Sequence, residues 1–156
     1  MAVKKKKKPG VTERRVIGRN DIIDFPDLGL TNVRVKIDTG AYTSSIHCFK
    51  ISVEDGVLSF FLPAHRSEKH QKFTTNQFEL KAIKNSFGQT EMRYVIKTKV
   101  LFFGKAIRTE FSLADRSQMR YPVLLGRKLL RNRFVVDVSL ENLSYDFMQR
   151  KSESKA

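Results

Sequence analysis

Asp38-Thr39-Gly40 stands directly after a run in which Val33, Val35 and Ile37 alternate with Arg34 and Lys36. The alternation makes one apolar face and one charged face, the pattern of a half-buried strand. Asp38 therefore arrives at a strand end, where a loop begins. Two carboxyls brought together at such a place do not both ionise easily. One proton is held between them, so that one acts as acid and the other as base, and a water bound between them is equipped to attack a peptide carbonyl. In the tripeptide, Gly40 permits a sharp turn and close approach to a partner group, and the Thr39 hydroxyl, donor and acceptor at once, is suited to locking the loop. Taken bare, the tripeptide reads more readily as a turn in which an Asp caps and a Gly follows.

Two further features accompany the tripeptide and gain weight from a family resemblance. About 85 residues downstream lies Tyr121-Pro122-Val123-Leu124-Leu125-Gly126-Arg127-Lys128-Leu129-Leu130, which reads as a short apolar strand followed by a short helix over 126–133. Between the two motifs, Ile83 to Gln89 precedes a long alternating hairpin from Met92 to Leu113 that turns at Gly104. Asn85 to Gln89 is rich in turn residues and suits a hairpin tip. Elsewhere, Ile51 to Val53 and Val57 to Leu62 flank Glu54-Asp55-Gly56, a strong hairpin signal. Phe134 to Val138 and Leu143 to Phe147 read as a last strand pair around Glu141-Asn142. Many short strands separated by turns predict an all-β protein, here a small, mostly closed β-barrel with one short helix.

Several separated motifs occur together in one order. They include Val16-Ile17-Gly18-Arg19, Phe25-Pro26-Asp27-Leu28-Gly29, Lys36 to His47, Asp115-Arg116, Met119, Pro122 to Arg127 and Phe134 to Asp137. In this the chain resembles the bacterial family labelled "ATP-dependent zinc protease", the RimK-associated retropepsin-like proteins, over residues 15–140. The resemblance implies a retropepsin-like barrel and a water-mediated aspartic endopeptidase. Asp38, Thr39 and Gly40 would form the catalytic loop, supported by Ala41, Thr43, Ser44, His47, Gly126 and Arg127. The tip residues Asn85, Ser86, Phe87 and Gly88 would form a flap over substrate. One Asp-Thr-Gly per chain leaves half a dyad, so the resemblance also implies a homodimer with Asp38 facing its copy. A functional link to a RimK-type glutamate ligase is implied as well. The alternative is a non-catalytic module that binds an acidic peptide, a ribosomal component or that ligase.

Some residues keep two readings. His47 either contacts the active-site loop or is satisfied by backbone, and the second reading is favoured. Thr43 and Ser44 suit hydrogen-bonding props better than nucleophiles, since no basic partner is implied near them. Arg127 is either an exposed helix-start base or the partner of an acid behind the loop, and Asp137 is either that acid or a turn residue at a strand end. The zinc label finds little in the sequence. There is no His-Glu-x-x-His helix, and the possible ligands His47, Cys48, His65 and His70 are poorly spaced, because adjacent residues on a strand point to opposite faces. A Gly-rich phosphate loop ending in Lys-Ser/Thr is also missing. No metal and no cofactor are expected.

The bulk composition sets limits. The 156 residues suit one domain with tails: a basic arm over 1–14, a domain over 15–148 and a flexible tail over 149–156. No apolar run reaches the ~18 residues of a membrane span, and the basic N-terminal stretch has no apolar segment behind it. With the single Cys48 excluding an intrachain disulfide, a cytoplasmic protein without a membrane partner is expected. The formal charge of +14 comes from 30 Lys and Arg against 16 Asp and Glu. Residues 1–15 carry +6 of it and the remainder +8, so the body itself is basic and favours encounter with anionic partners, an acidic peptide or protein substrate among them.

Overall fold

The computed structural model describes residues 13–63, 70–85, 87–115 and 120–154. The chain begins with β1 (Arg15–Ile17), β2 (Asn20–Phe25), a single 3-10 turn at Pro26–Leu28, and β3 (Leu30–Ile37). Next come β4 (Ser44–His47), β5 (Phe49–Glu54), β6 (Val57–Leu62), β7 (Gln71–Thr75) and β8 (Glu79–Lys84). The chain then runs through β9 (Thr90–Phe102), β10 (Lys105–Ala114), β11 (Val123–Leu125) and helix α1 (Arg127–Leu130). It ends in β12 (Phe134–Val136) and helix α2 (Leu143–Glu153).

Six strands close on themselves in the order β10, β4, β11, β3, β2, β9 and back to β10. Closure removes free edges, the usual liability of a small sheet. The expected closed barrel is therefore present. β8 lies outside the ring, hydrogen-bonded to the first half of β9, while the second half of β9 pairs with β10. A separate sheet, β5-β6-β7, packs its fully buried Leu58, Phe60 and Leu62 into the same apolar cluster as the barrel. Val33, Val35 and Ile37 point inward from β3, and Arg34 and Lys36 point out, as their alternation requires. Phe25 meets Phe111 edge to face at 5.5 Å in the centre.

The C-terminal end departs from expectation. Residues 143–147 are not a strand and 149–153 are not a loose tail; both belong to α2. The alternation of Leu143, Tyr145 and Phe147 is also compatible with a helix, because Leu143 and Phe147 are four apart. The decision is made elsewhere in the chain. The buried Asp21 on β2 accepts hydrogen bonds from Ser144 N–H (3.0 Å) and Tyr145 N–H (3.1 Å), capping the first turn of α2 from another element. Phe103, held at φ 50° in the β9–β10 turn, donates its N–H to the Ser144 hydroxyl at 2.9 Å and packs on Phe147. β12, which had been expected to pair with that segment, instead pairs in parallel with β1. Among the described residues there are thus two α-helices, not the one expected.

Burial pushes the Asp21 carboxyl above its ordinary value, against the lowering effect of its bonds from Ser144, Ile22 and Tyr145. A carboxyl raised by folding contributes most at low pH, and its contribution falls as pH rises through its folded value. Replacing it with Ala leaves two helix N–H groups without an acceptor. Asp21→Ala is expected to lower stability by about 2 kcal/mol, read as a reduced urea midpoint with a loss of helical circular dichroism.

Candidate active site around Asp38

The loop that follows β3 is gripped from behind. β11 lies parallel to β3, with Leu125 opposite Ile37, and Asp38 N–H donates to Leu125 O at 2.9 Å. The chain then passes through Gly126 into α1, under the loop. Arg127 N–H donates to Ala41 O at 2.8 Å and Lys128 N–H to Tyr42 O at 3.0 Å. Helix N–H groups that would otherwise lack partners therefore take up the loop's carbonyls. Gly126 N–H donates to the buried Ser44 hydroxyl at 3.0 Å. A Cβ at Gly126 would lie 2.6 Å from Tyr42 O and 2.9 Å from Ala41 O, so this position has no room for any other residue. Arg127 reaches back with its guanidinium to Thr39 O at 3.1 Å and lies 5.8 Å from the Tyr42 ring centre.

In front, the loop is open. Asp38 Oδ1 accepts the Gly40 N–H at 3.1 Å. Among the described residues Oδ2 and the exposed Thr39 hydroxyl accept and donate nothing. Asp38 stands where two clefts meet. One, of about 730 Å³, is lined by Asp38, Thr43, Ser45, Ser112, Lys84, Arg93 and Arg127, and has the β8–β9 hairpin as its wall. The other, of about 690 Å³, includes Arg19, Lys36, Arg120 and Glu141. Six basic side chains thus flank Asp38, against one further acid, Glu141, which is already paired with Arg19.

The hairpin tip lies at 85–89, where turn chemistry placed it. Asn85 organises it, its side-chain oxygen accepting Phe87 N–H (3.0 Å) and Gln89 N–H (2.9 Å), with Gly88 at φ 79°. Phe87 is 88% exposed. Ser86 lies outside the described residues.

Other candidates fall differently. Ser44 supports the Gly126 amide. Half-buried Thr43 lines the cleft and, among the described residues, makes no side-chain hydrogen bond. His47 sits at the end of β4, with its N–H on Pro122 O (2.7 Å) and its Nδ1 3.3 Å from Ala114 O; it does not line either cleft. Arg127 forms no ion pair among the described residues. Asp137 follows the turn reading and not the acid-partner reading: it accepts from Ser139 N–H and hydroxyl in a local turn after β12. Gly40 has neither positive φ nor crowding, since its Cβ would meet only Asp38 Oδ1 at 3.4 Å. Of the soft ligands, Cys48 is buried, His70 packs its ring on Phe49 at 4.6 Å, and His65 lies outside the described residues. Among the described residues no three His, Cys, Asp or Glu converge.

Comparison with known proteins gives the family. Residues 16–146 match the family model RimB-like, described as "Retropepsin-like aspartic endopeptidase RimB". The chain belongs to this family. The description is aspartic, so the "zinc protease" part of the label suggested by the resemblance is not supported. Curated relatives carry a different name. A "Probable alpha-L-glutamate ligase" of Desulfotalea psychrophila is 31% identical over 134 residues, covering 82% of this chain and 29% of the relative. One from Shewanella pealeana is 35% identical over 130 residues, covering 80% and 28%. The chain thus spans under a third of the length of these relatives. A solved Legionella pneumophila protein of unknown function, Lpg0085, shares the fold with TM-score 0.67 at 24% identity, over 85% of this chain and 99% of its own.

Within this RimB-like fold, most of the bases that line the two clefts were not individually legible in the sequence. Lys36 was legible as outward-facing on its strand. Arg93, Lys84 and Arg120 come from distant segments that only folding assembles.

Two outcomes test the site's construction. Gly126→Ala must displace the Ala41 and Tyr42 carbonyls and is expected to cost about 2–4 kcal/mol in chemical denaturation. Burial pushes the Cys48 thiol up to about 12. Native protein should therefore resist iodoacetamide at mildly alkaline pH, whereas urea-unfolded protein reacts. Because the unfolded thiol ionises first, alkaline pH should also favour unfolding.

Proposed function

We propose that this chain is a peptidase in which Asp38 and the Asp38 of a second copy share one proton across a two-fold axis. The reading is supported above all by the position of Asp38. It stands at the junction of two clefts, one of them walled by the β8–β9 hairpin, on a loop clamped from behind and free in front. In the assembled pair, the ionised carboxyl takes a proton from water as the water oxygen attacks the peptide carbonyl. The protonated carboxyl gives its proton to that carbonyl's oxygen. Collapse of the tetrahedral intermediate then breaks the C–N bond and expels the amine, which leaves with a proton from the pair, while a hydroxyl of the intermediate returns its proton to the pair and restores the shared-proton state. Thr39 and Gly40 flank the carboxyl, and the tip at Asn85, Ser86, Phe87 and Gly88 is the flap of this reading. The basic lining favours an acidic peptide. Relatives named as glutamate ligases are in keeping with a substrate extended by glutamate, and with a working partnership with a RimK-type ligase.

A second reading has its own support. The described residues supply Asp38 with no second acid free to pair with it, and the matching part of the ligases is a minor share of each. The chain would then be a binding module for acidic peptide, holding but not cutting it.

The experiment combines hydrolysis and assembly. Glutamate-tailed and neutral peptides are offered at several pH values, and mass is followed by sedimentation. Asp38→Asn should reduce cleavage by about a thousandfold while leaving peptide binding in place, and activity should rise with the square of protein concentration where dimers are few. Equal cleavage by the variant would refute the peptidase. Binding without cleavage by a confirmed dimer would favour the module.

A further inference from the structure

β8 is the free edge of the hairpin that walls the larger cleft, and among the described strands it hydrogen-bonds only to β9. One carboxylate ties it to the body. Glu110, on β10 two residues before the cleft-lining Ser112, places Oε1 2.9 Å from Lys81 Nζ on β8 and Oε2 2.9 Å from Lys128 Nζ on α1. Both oxygens are used, one on each element. α1 is also the helix whose first amides hold Ala41 and Tyr42 of the Asp38 loop. A single side chain thus joins the hairpin wall to the clamp under Asp38.

We infer that Glu110 is a positioning residue that sets how far the β8–β9 hairpin stands open over Asp38, through the Lys81–Glu110–Lys128 bridge. This rests on the reading of the hairpin as a substrate-covering element.

Three observations carry it. The Glu110 side chain is only 12% exposed, while its lysine partners Lys81 and Lys128 are 36% and 39% exposed, so the bridge is screened by solvent from the lysine side alone. Its position is specific, since Lys97 stands directly opposite Glu110 in the β9–β10 register, yet both carboxylate oxygens pass it over for lysines of two other elements. Glu79 lies 3.2 Å from Lys81 on the same strand, but it belongs to the hairpin and cannot tether it. Losing Glu110 therefore frees the β8 edge while leaving the β9–β10 ladder intact. The lysines hold the Glu110 carboxyl below its ordinary value, with Lys128 the larger influence, consistent with a bridge charged at neutral pH.

The experiment is amide hydrogen exchange on the full chain, with urea unfolding alongside. Glu110→Gln should speed exchange in segment 79–95 by about fivefold, with exchange in β2 and β3 unchanged. Lys81→Met should do the same, and the double variant should add little. Glu110→Asp, which keeps the charge, should recover part of the protection. Raising salt should speed hairpin exchange in the natural protein but not in Glu110→Gln. Unchanged hairpin exchange in Glu110→Gln, additive effects in the double variant, or an increase spread evenly over the barrel would each overturn the proposal. These readouts do not require cleavage, so a failed peptidase reading and a failed bridge are distinguished.

Discussion

The structure depends most on the exchange of hydrogen bonds between the start of α1 and the carbonyls of the Asp38 loop. A four-residue helix is far too short to be stable by itself. It exists because Leu129 and Leu130 are buried and because Arg127 and Lys128 amides find acceptors at Ala41 and Tyr42. The loop has no regular structure of its own, and its carbonyls are satisfied by that helix. Each element thus supplies what the other lacks, and Gly126 is the contact point at which their backbones nearly touch. Displacing either leaves polar groups unpaired on both sides, which is costlier than losing one hydrogen bond.

The barrel makes that exchange possible by geometry. β3 and β11 are parallel neighbours, and parallel strands end at the same side of a sheet. Asp38 and Gly126 follow Ile37 and Leu125, which are register partners, so strand pairing alone delivers the two motifs to one place across about 85 residues of chain. β4 returns antiparallel to β11 and brings Ser44 back to the Gly126 amide.

How much of this was visible beforehand follows from the range of the forces involved. Local patterns were sufficient for Val33 to Ile37, for the Asp55-Gly56 hairpin and for the tip at Asn85, because period-two burial and turn chemistry act within a few residues. The short helix after Gly126 was legible for the same reason. The last segment was not. Leu143, Tyr145 and Phe147 satisfy both a strand and a helix pattern, and the choice between them rests with Asp21, more than 120 residues away in sequence. Arg127 shows the same limit. Its exposed guanidinium meets the Thr39 carbonyl and not an acid, and a backbone acceptor leaves no mark in the sequence. The Glu110 bridge and the collected bases around Asp38 were likewise beyond local reading.

The Asp38 loop divides its residues into two groups. Ala41, Tyr42 and Ser44 direct their polar groups inward, each engaged by Gly126, Arg127 or Lys128. Asp38 and Thr39 are held by their backbone too, Asp38 N–H on Leu125 O and Thr39 O on Arg127, but among the described residues Asp38 Oδ2 and the Thr39 hydroxyl are unengaged, and Gly40 has space beside it. Gly126 is required by the chain's own backbone, whereas nothing within the described chain requires glycine at position 40. A loop that needed only to turn would have no reason to be held this firmly on one side while presenting three small or reactive groups on the other. Such a division follows if the constraint on residues 38–40 comes from something that approaches from outside, either a second copy or a bound peptide. The rigid rear face then serves to keep that outer face in one position as the approach occurs.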